Sequence, residues 1–277
     1  MGLTESNQVS IAELVIYLPA LFVAIFLCVR HGFGRSSGWL YLIIFSLARI
    51  IGPSMQLATI SQPRNYSLYI GAATLQSIGL SPLILVELGL LSRALSSIRK
   101  SVQTRVNENM LRVVQIVVLV GLILTSVGGS QAGSNFADTG VYTPSNLSQI
   151  GIGLMIAGFV LTVLAAAQVA LQISHAEPGE KRLALAVGLS LPFVLVRLAY
   201  AAATVYSGNP KFNQLTGDVS VQIGMSVVME MIAVAILEGF GLTLKKIPKV
   251  EKNKSQGSNQ YEMSDRAERA NGAHQRF

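Results

Sequence analysis

The chain has 277 residues, of which 51% are hydrophobic and 13% charged. Soluble domains carry about 25% charged residues, so half that share, joined to apolar runs near 20 residues, makes lipid the solvent for most of the chain. The net charge of +7 is no nucleic-acid signal, because eight of the 21 basic residues fall from Lys245 onward and nine more lie in short connections on one predicted side of the membrane.

Seven spans are predicted in chain order, over residues 11–30, 39–60, 68–92, 111–130, 148–173, 183–206 and 219–243. At about 1.5 Å per residue, roughly 20 helical residues cross a hydrocarbon core of about 30 Å. Lipid offers backbone groups no partners, so only helices or closed barrels cross, and these runs are too long and continuous for barrel strands. The fold class is therefore all-α, a polytopic membrane bundle of seven transmembrane helices over residues 1–247. Residues 248–277 form a polar tail with few apolar residues, which is expected to be disordered.

Loop charge orients the bundle. The connection after span 1 carries Arg30 and Arg35, that after span 3 carries Arg93, Arg99, Lys100, Arg105 and Arg112, and that after span 5 carries Lys181 and Arg182. The opposite connections hold Arg64 and Lys211, and the N-terminal segment holds Glu5 and Glu13. Basic loops stay cytoplasmic, which places the N-terminus outside or in a lumen and the C-terminus in the cytoplasm. The sequons at Asn65 and Asn146 fall in or beside outside loops. No basic n-region precedes span 1, so it is read as an anchor, not a cleaved leader. The protein is thus multi-pass, in the endoplasmic reticulum or the plasma membrane, with the lipid bilayer as its first partner.

Five charges lie well inside the spans: Arg49, Glu87, Arg197, Glu230 and Glu238. Each costs about 2.5–3.5 kcal/mol at a helix centre, so they face the interior. In span 2, Ser46, Arg49, Pro53 and Gln56 share a stripe; in span 3, Gln76, Leu83 and Glu87 do; in span 6, Ser190, Arg197 and Thr204 superpose beside Tyr200; in span 7, Gln222, Ser226 and Glu230 step by four. Span 5 adds Gln168 and Gln172, and spans 1 and 4, being nearly all apolar, are expected at the periphery. From the cytoplasmic edge Arg49 lies about 15 Å deep, Arg197 and Glu230 about 20 Å, and Glu87 and Glu238 about 7–8 Å. Arg197 and Glu230 are therefore the expected ion pair, joined by Arg49. Glu87 and Glu238 form a shallower acidic layer met by Arg93 or Lys245. Such pairs hold bundles together. The alternative is that they mark a polar cavity near the midplane, rimmed by spans 2, 3, 6 and 7, in which Arg49, Gln56, Gln76, Arg197 and Tyr200 would contact a substrate. A glutamate left without a cation there, Glu87 first and Glu238 next, is suited to donate a proton.

The blander features are the small residues of span 5, for helix packing or a homodimer face, Gly128-Gly129 as a helix stop, and loose matches between spans 1–3 and 5–7 at offsets of 148 and 151. The single cysteine, Cys28, excludes an intrachain disulfide, and His31, His175 and His274 are too scattered for a metal site. No motif calls for a cofactor or for nucleic acid. No lysine lies in a span, which excludes a retinal Schiff base, and span 3 ends Leu91-Ser92-Arg93-Ala94 without the charged triplet of G-protein-coupled receptors.

In size, helix number and buried acids, the chain apart from its tail resembles the small seven-helix integral membrane proteins of filamentous fungi, a group that includes membrane-bound meroterpenoid (terpene) cyclases. The resemblance implies an isomerase or lyase of secondary metabolism that acts on a lipophilic small molecule, with Glu87, Glu230 or Glu238 as general acid. A cyclase needs such a carboxyl in an apolar pocket with aromatic walls. A transporter-type protein needs a cavity that opens to each side in turn, and a receptor-like protein needs an outward-facing pocket. All three readings stand on the residues alone.

Overall fold

The computed structural model describes residues 4–31, 37–99, 108–175, 178–213 and 216–244. The tail expected to be disordered, and Lys245 with it, lie outside the described residues. Among the described residues, seven helical segments are long and apolar enough to cross a membrane. They comprise α1 (Glu5–His31), α2 (Ser37–Ala58), α3 (Tyr66–Ile78) with α4 (Leu80–Ile98), α5 (Glu108–Thr139), α6 (Asn146–Leu171), α7 (Pro178–Tyr206), and α8 (Val219–Gln222) with a π-helical turn (Ile223–Val227) and α9 (Val228–Thr243). The outer faces carry large apolar side chains, such as Val15 at 68% and Phe22 at 65% exposure. That is the surface a bilayer requires, since lipid-facing positions need no polar cover.

The third span is the axis of the bundle. In α4, 17 of its 19 residues are buried, and it packs against α2, α5, α6 and α7. The span is divided at Gly79 into α3 and α4. A Cβ at Gly79 would fall on the guanidinium of Arg49, so the glycine is what lets a buried arginine approach this backbone. Pro82 follows in the first turn of α4, where its missing N–H costs nothing. The second interruption, the π turn at Ile223–Val227, brings Ser226 fully into the interior. Single π turns inserted in α-helices are frequent at functional sites.

Helices in lipid gain little from the hydrophobic effect and associate through close packing. Gly151 and Gly158 on α6 supply it: a Cβ at either would strike Thr125 and Gly121, or Val118, on α5. These small residues of the fifth span therefore serve packing within the chain. Gly128 does the same and corrects an expectation. The pair Gly128-Gly129 does not stop the helix, because α5 runs on to Thr139. A Cβ at Gly128 would meet Ser145 and Ser148, the residues that cap α6 through Ser145 Oγ accepting from the Ser148 N–H at 3.2 Å. A second correction concerns Gln168, which is exposed on α6 and faces away from the interior. Span 4 is peripheral as expected, but span 1 is not merely an apolar outrider. One stripe of α1, Asn7, Ser10, Glu13 and Tyr17, is buried against the bundle.

Candidate functional site

The polar stripes of four spans converge. Glu230, at the start of α9 just after the π turn, is fully buried. Its Oε1 accepts from Arg197 Nε of α7 at 2.5 Å, and its Oε2 forms an ion pair with Arg49 Nη2 of α2. The two arginines then meet on one backbone group. Arg49 Nη2 and Arg197 Nη2 donate to the carbonyl oxygen of Gln76 at 3.3 and 3.0 Å. Carbonyls in the last turn of a helix lack partners further along it, and ending α3 at Ile78 presents this one to both guanidinium groups. Aromatic faces flank the cations, with Phe45 5.7 Å from Arg49 and Tyr200 5.6 Å from Arg197.

Glu13, which its position groups with the N-terminal segment, completes the group. It is 2% exposed, on α1, with Oε1 3.7 Å from Arg49 Nη1 and 3.5 Å from Gln76 Nε2. Two arginines and two glutamates therefore balance in one buried layer. The helical signal was present: Asn7, Ser10 and Glu13 recur at three-residue spacing and continue into Tyr17, one face of a helix that begins earlier than the apolar run.

Above this layer lies a vestibule of about 640 Å³, within the range of small-molecule sites. It is bounded by the first turns of α1, the last turns of α2, α3, and the start of α8, so it opens at the end of the bundle that carries the N-terminus. Gln56 and Gln76, two of the expected contact residues, line it, as do Pro53 and Gln222 of the predicted stripes. Arg49, Arg197 and Glu230 lie in the layer beneath, and Tyr200, 4% exposed, packs on Arg197 and on Phe212. Asn7, Ser10 and Tyr69, which no predicted stripe contains, also line the vestibule.

The remaining two glutamates stand apart from this site. Glu87 is fully buried on α4, where Oε1 accepts from Ser190 Oγ of α7 at 2.8 Å. It forms no ion pair among the described residues, and its Oε2 has no hydrogen-bond partner. Glu238 is 8% exposed near the end of α9, with Oε1 unpartnered. The acidic layer expected to draw in Arg93 does not do so. Arg93 pairs with Glu180, Nε and Nη2 lying 3.0 and 2.9 Å from Oε1. The reason is antiparallel packing: the C-terminal turn of α4 meets the first turn of α7, where Glu180 sits.

The fold and this site together define a seven-helix membrane bundle with a neutral ionic layer beneath a polar vestibule. The chain belongs to a family known by its domain of unknown function, DUF7702, whose model matches residues 3–247 and so takes in all seven spans. No curated protein and no solved structure matches the chain.

Proposed function

We propose that this protein binds a small water-soluble molecule in the vestibule, in the manner of a receptor-like or transporter-type membrane protein, and that the ionic layer couples the occupied site to the rest of the bundle. The observation that carries this is the cavity of about 640 Å³ lined by Glu13 and Gln76, the first an ion-pair partner of Arg49 and the second the residue whose main-chain carbonyl takes both arginines. A ligand there contacts α1, α2, α3 and α8 at once, and every one of these leads to a member of the layer. Helix interruptions at Gly79 and at Ile223–Val227 flank it, giving two elements a place to adjust. With the positive-inside orientation, the vestibule opens to the outside or the lumen.

The cyclase reading has the buried glutamates in its favour, but it requires one of them to border an apolar, aromatic-walled pocket. Glu87, Glu230 and Glu238 do not line the vestibule, and Tyr69 is the aromatic residue that does. The carboxyl in contact with the cavity is Glu13. The vestibule reading is tested by cysteine accessibility in a Cys28→Ala background. Gln76→Cys should react with an impermeant maleimide added on the side that an N-terminal epitope tag marks as outside, whereas Leu83→Cys, fully buried in α4, should not. A folded Gln76→Cys protein that resists the reagent from both sides would refute the reading.

A further inference from the structure

We propose that the vestibule is a binding site for a small hydrophilic amine, whose ammonium group is taken by the Glu13 carboxylate while a hydroxyl elsewhere on the ligand donates to the Asn7 amide oxygen. The inference rests on the vestibule reading above and names the chemistry of the occupant. Three observations carry it. First, Glu13 is the single charged residue among the described residues that line the cavity, and none of them is Lys, Arg or His. An anion would find no cation among the described residues of the wall. The charges of Arg49 and Arg197 in the layer below are already met by Glu230 and Glu13, with the Gln76 carbonyl accepting from both.

Second, Glu13 is under-coordinated for a buried carboxylate. Its neighbours, Arg49 at 3.7 Å and Gln76 at 3.5 Å, both approach Oε1 and both stand beyond ordinary hydrogen-bond distance. A carboxylate buried with so little compensation is costly, and a donor arriving from the cavity supplies what is missing. Third, Asn7 lines the same cavity, is 6% exposed, and its Oδ1 has no hydrogen-bond partner. Buried amide oxygens are almost always satisfied. Asn7 and Glu13 lie on one stripe of α1, about 9 Å apart along the axis, so one ligand of modest size reaches both. The wall also offers hydroxyl and amide groups (Ser10, Gln56, Thr59, Gln222) and the ring of Tyr69, set among apolar residues such as Val9, Ile60 and Val219. Such a mixed wall suits a ring that carries hydroxyls on an apolar frame, as an amino sugar does, and an aromatic face favours a cation.

The test uses three probes of similar shape and different charge on the full-length protein in nanodiscs: glucosamine, N-acetylglucosamine and glucuronate, with binding read by saturation-transfer NMR. Glucosamine should bind about tenfold or more tightly than the neutral analogue, as a charge-assisted hydrogen bond implies, and glucuronate should not bind. Glu13→Gln should remove the preference for glucosamine while leaving the weak N-acetylglucosamine signal. Asn7→Leu, which leaves the ionic layer untouched, should weaken glucosamine several-fold and guards against a folding defect at Glu13. Equal or tighter binding of the neutral or anionic probe, no effect of either substitution on glucosamine, or no binding of any of the three overturns the proposal. Maleimide access to Gln76→Cys separately decides whether the vestibule itself is real.

Discussion

Replacing Glu230 by Gln is the sharpest probe of the buried layer. The carboxylate serves two cations, Arg197 Nε at 2.5 Å and Arg49 Nη2, and all three side chains are at most 3% exposed. The substitution keeps the shape and deletes the charge, leaving two buried guanidinium groups against Glu13, which lies 3.7 Å from the nearer one. Removing one member of a buried pair costs about 3–5 kcal/mol. The amide oxygen still accepts one hydrogen bond, worth about 1 kcal/mol, so the net loss should be about 3 kcal/mol. At about 2–4 °C per kcal/mol for a chain of this length, the unfolding midpoint should fall by about 6–12 °C. The assay is built into the chain. Cys28 is the single cysteine and is fully buried, so a maleimide fluorophore reports its exposure on heating in detergent. Removing Arg197 as well, by Arg197→Gln, should return about 1–3 kcal/mol of the loss, since contacting charges couple. An unchanged midpoint for Glu230→Gln, or strict additivity in the double variant, would show that these charges do not act as a layer.

Glu13→Gln should cost less than Glu230→Gln in the same assay, because its contacts to Arg49 and Gln76 are long; the reverse ranking would misplace the layer's centre. Gly79→Ala should lower stability by about 1–3 kcal/mol through overpacking against Arg49, and the penalty should shrink in the Glu230→Gln background, where Arg49 is less tightly held. Glu87→Gln should change the midpoint by no more than about 1 kcal/mol, since Glu87 holds a serine hydroxyl and no cation; a loss as large as that of Glu230→Gln would reveal a missed ion pair. Arg93→Ala should act locally, loosening α4 from α7, and hydrogen exchange should show the first turn of α7 opening, with the vestibule residues unaffected.

The spans and the Arg197–Glu230 contact were legible because lipid imposes simple rules. A helix must be about 20 apolar residues long, and a charge within it must turn inward, so helical phase and depth suffice to match partners. Glu13 escaped because it stands only two residues inside a first span predicted to begin at residue 11, too near that end to count as an interior charge, whereas the hydrogen-bonded helix starts at Glu5 and carries its polar turn into the bundle. The fate of Arg93 escaped for a different reason. Depth alone put it near Glu87 and Glu238, but which helices are neighbours is a tertiary fact, and α4 runs beside α7. Gly128-Gly129 misled in the same way: a glycine pair means a helix stop only where nothing packs on it, and here the start of α6 does. Gln56 and Gln76 were found by their stripes, while the vestibule they line depends on how the ends of α1, α2, α3 and α8 splay, which no periodicity encodes.

The oxygen on which both arginines converge belongs to the main chain of Gln76 and not to its side chain. Every amino acid placed at residue 76 would bring the same carbonyl. A saturation mutagenesis of this protein would therefore map the two arginines and the glutamate as sensitive positions and leave their common anchor unmarked, even though three helices meet there. Its trace would appear instead at Gly79, three residues on, where tolerance to side chains is limited by the approach of Arg49. In a lineage drifting under selection, such an anchor is heritable without being encoded by any one codon, so residue 76 is free to retune the vestibule while the junction below it persists.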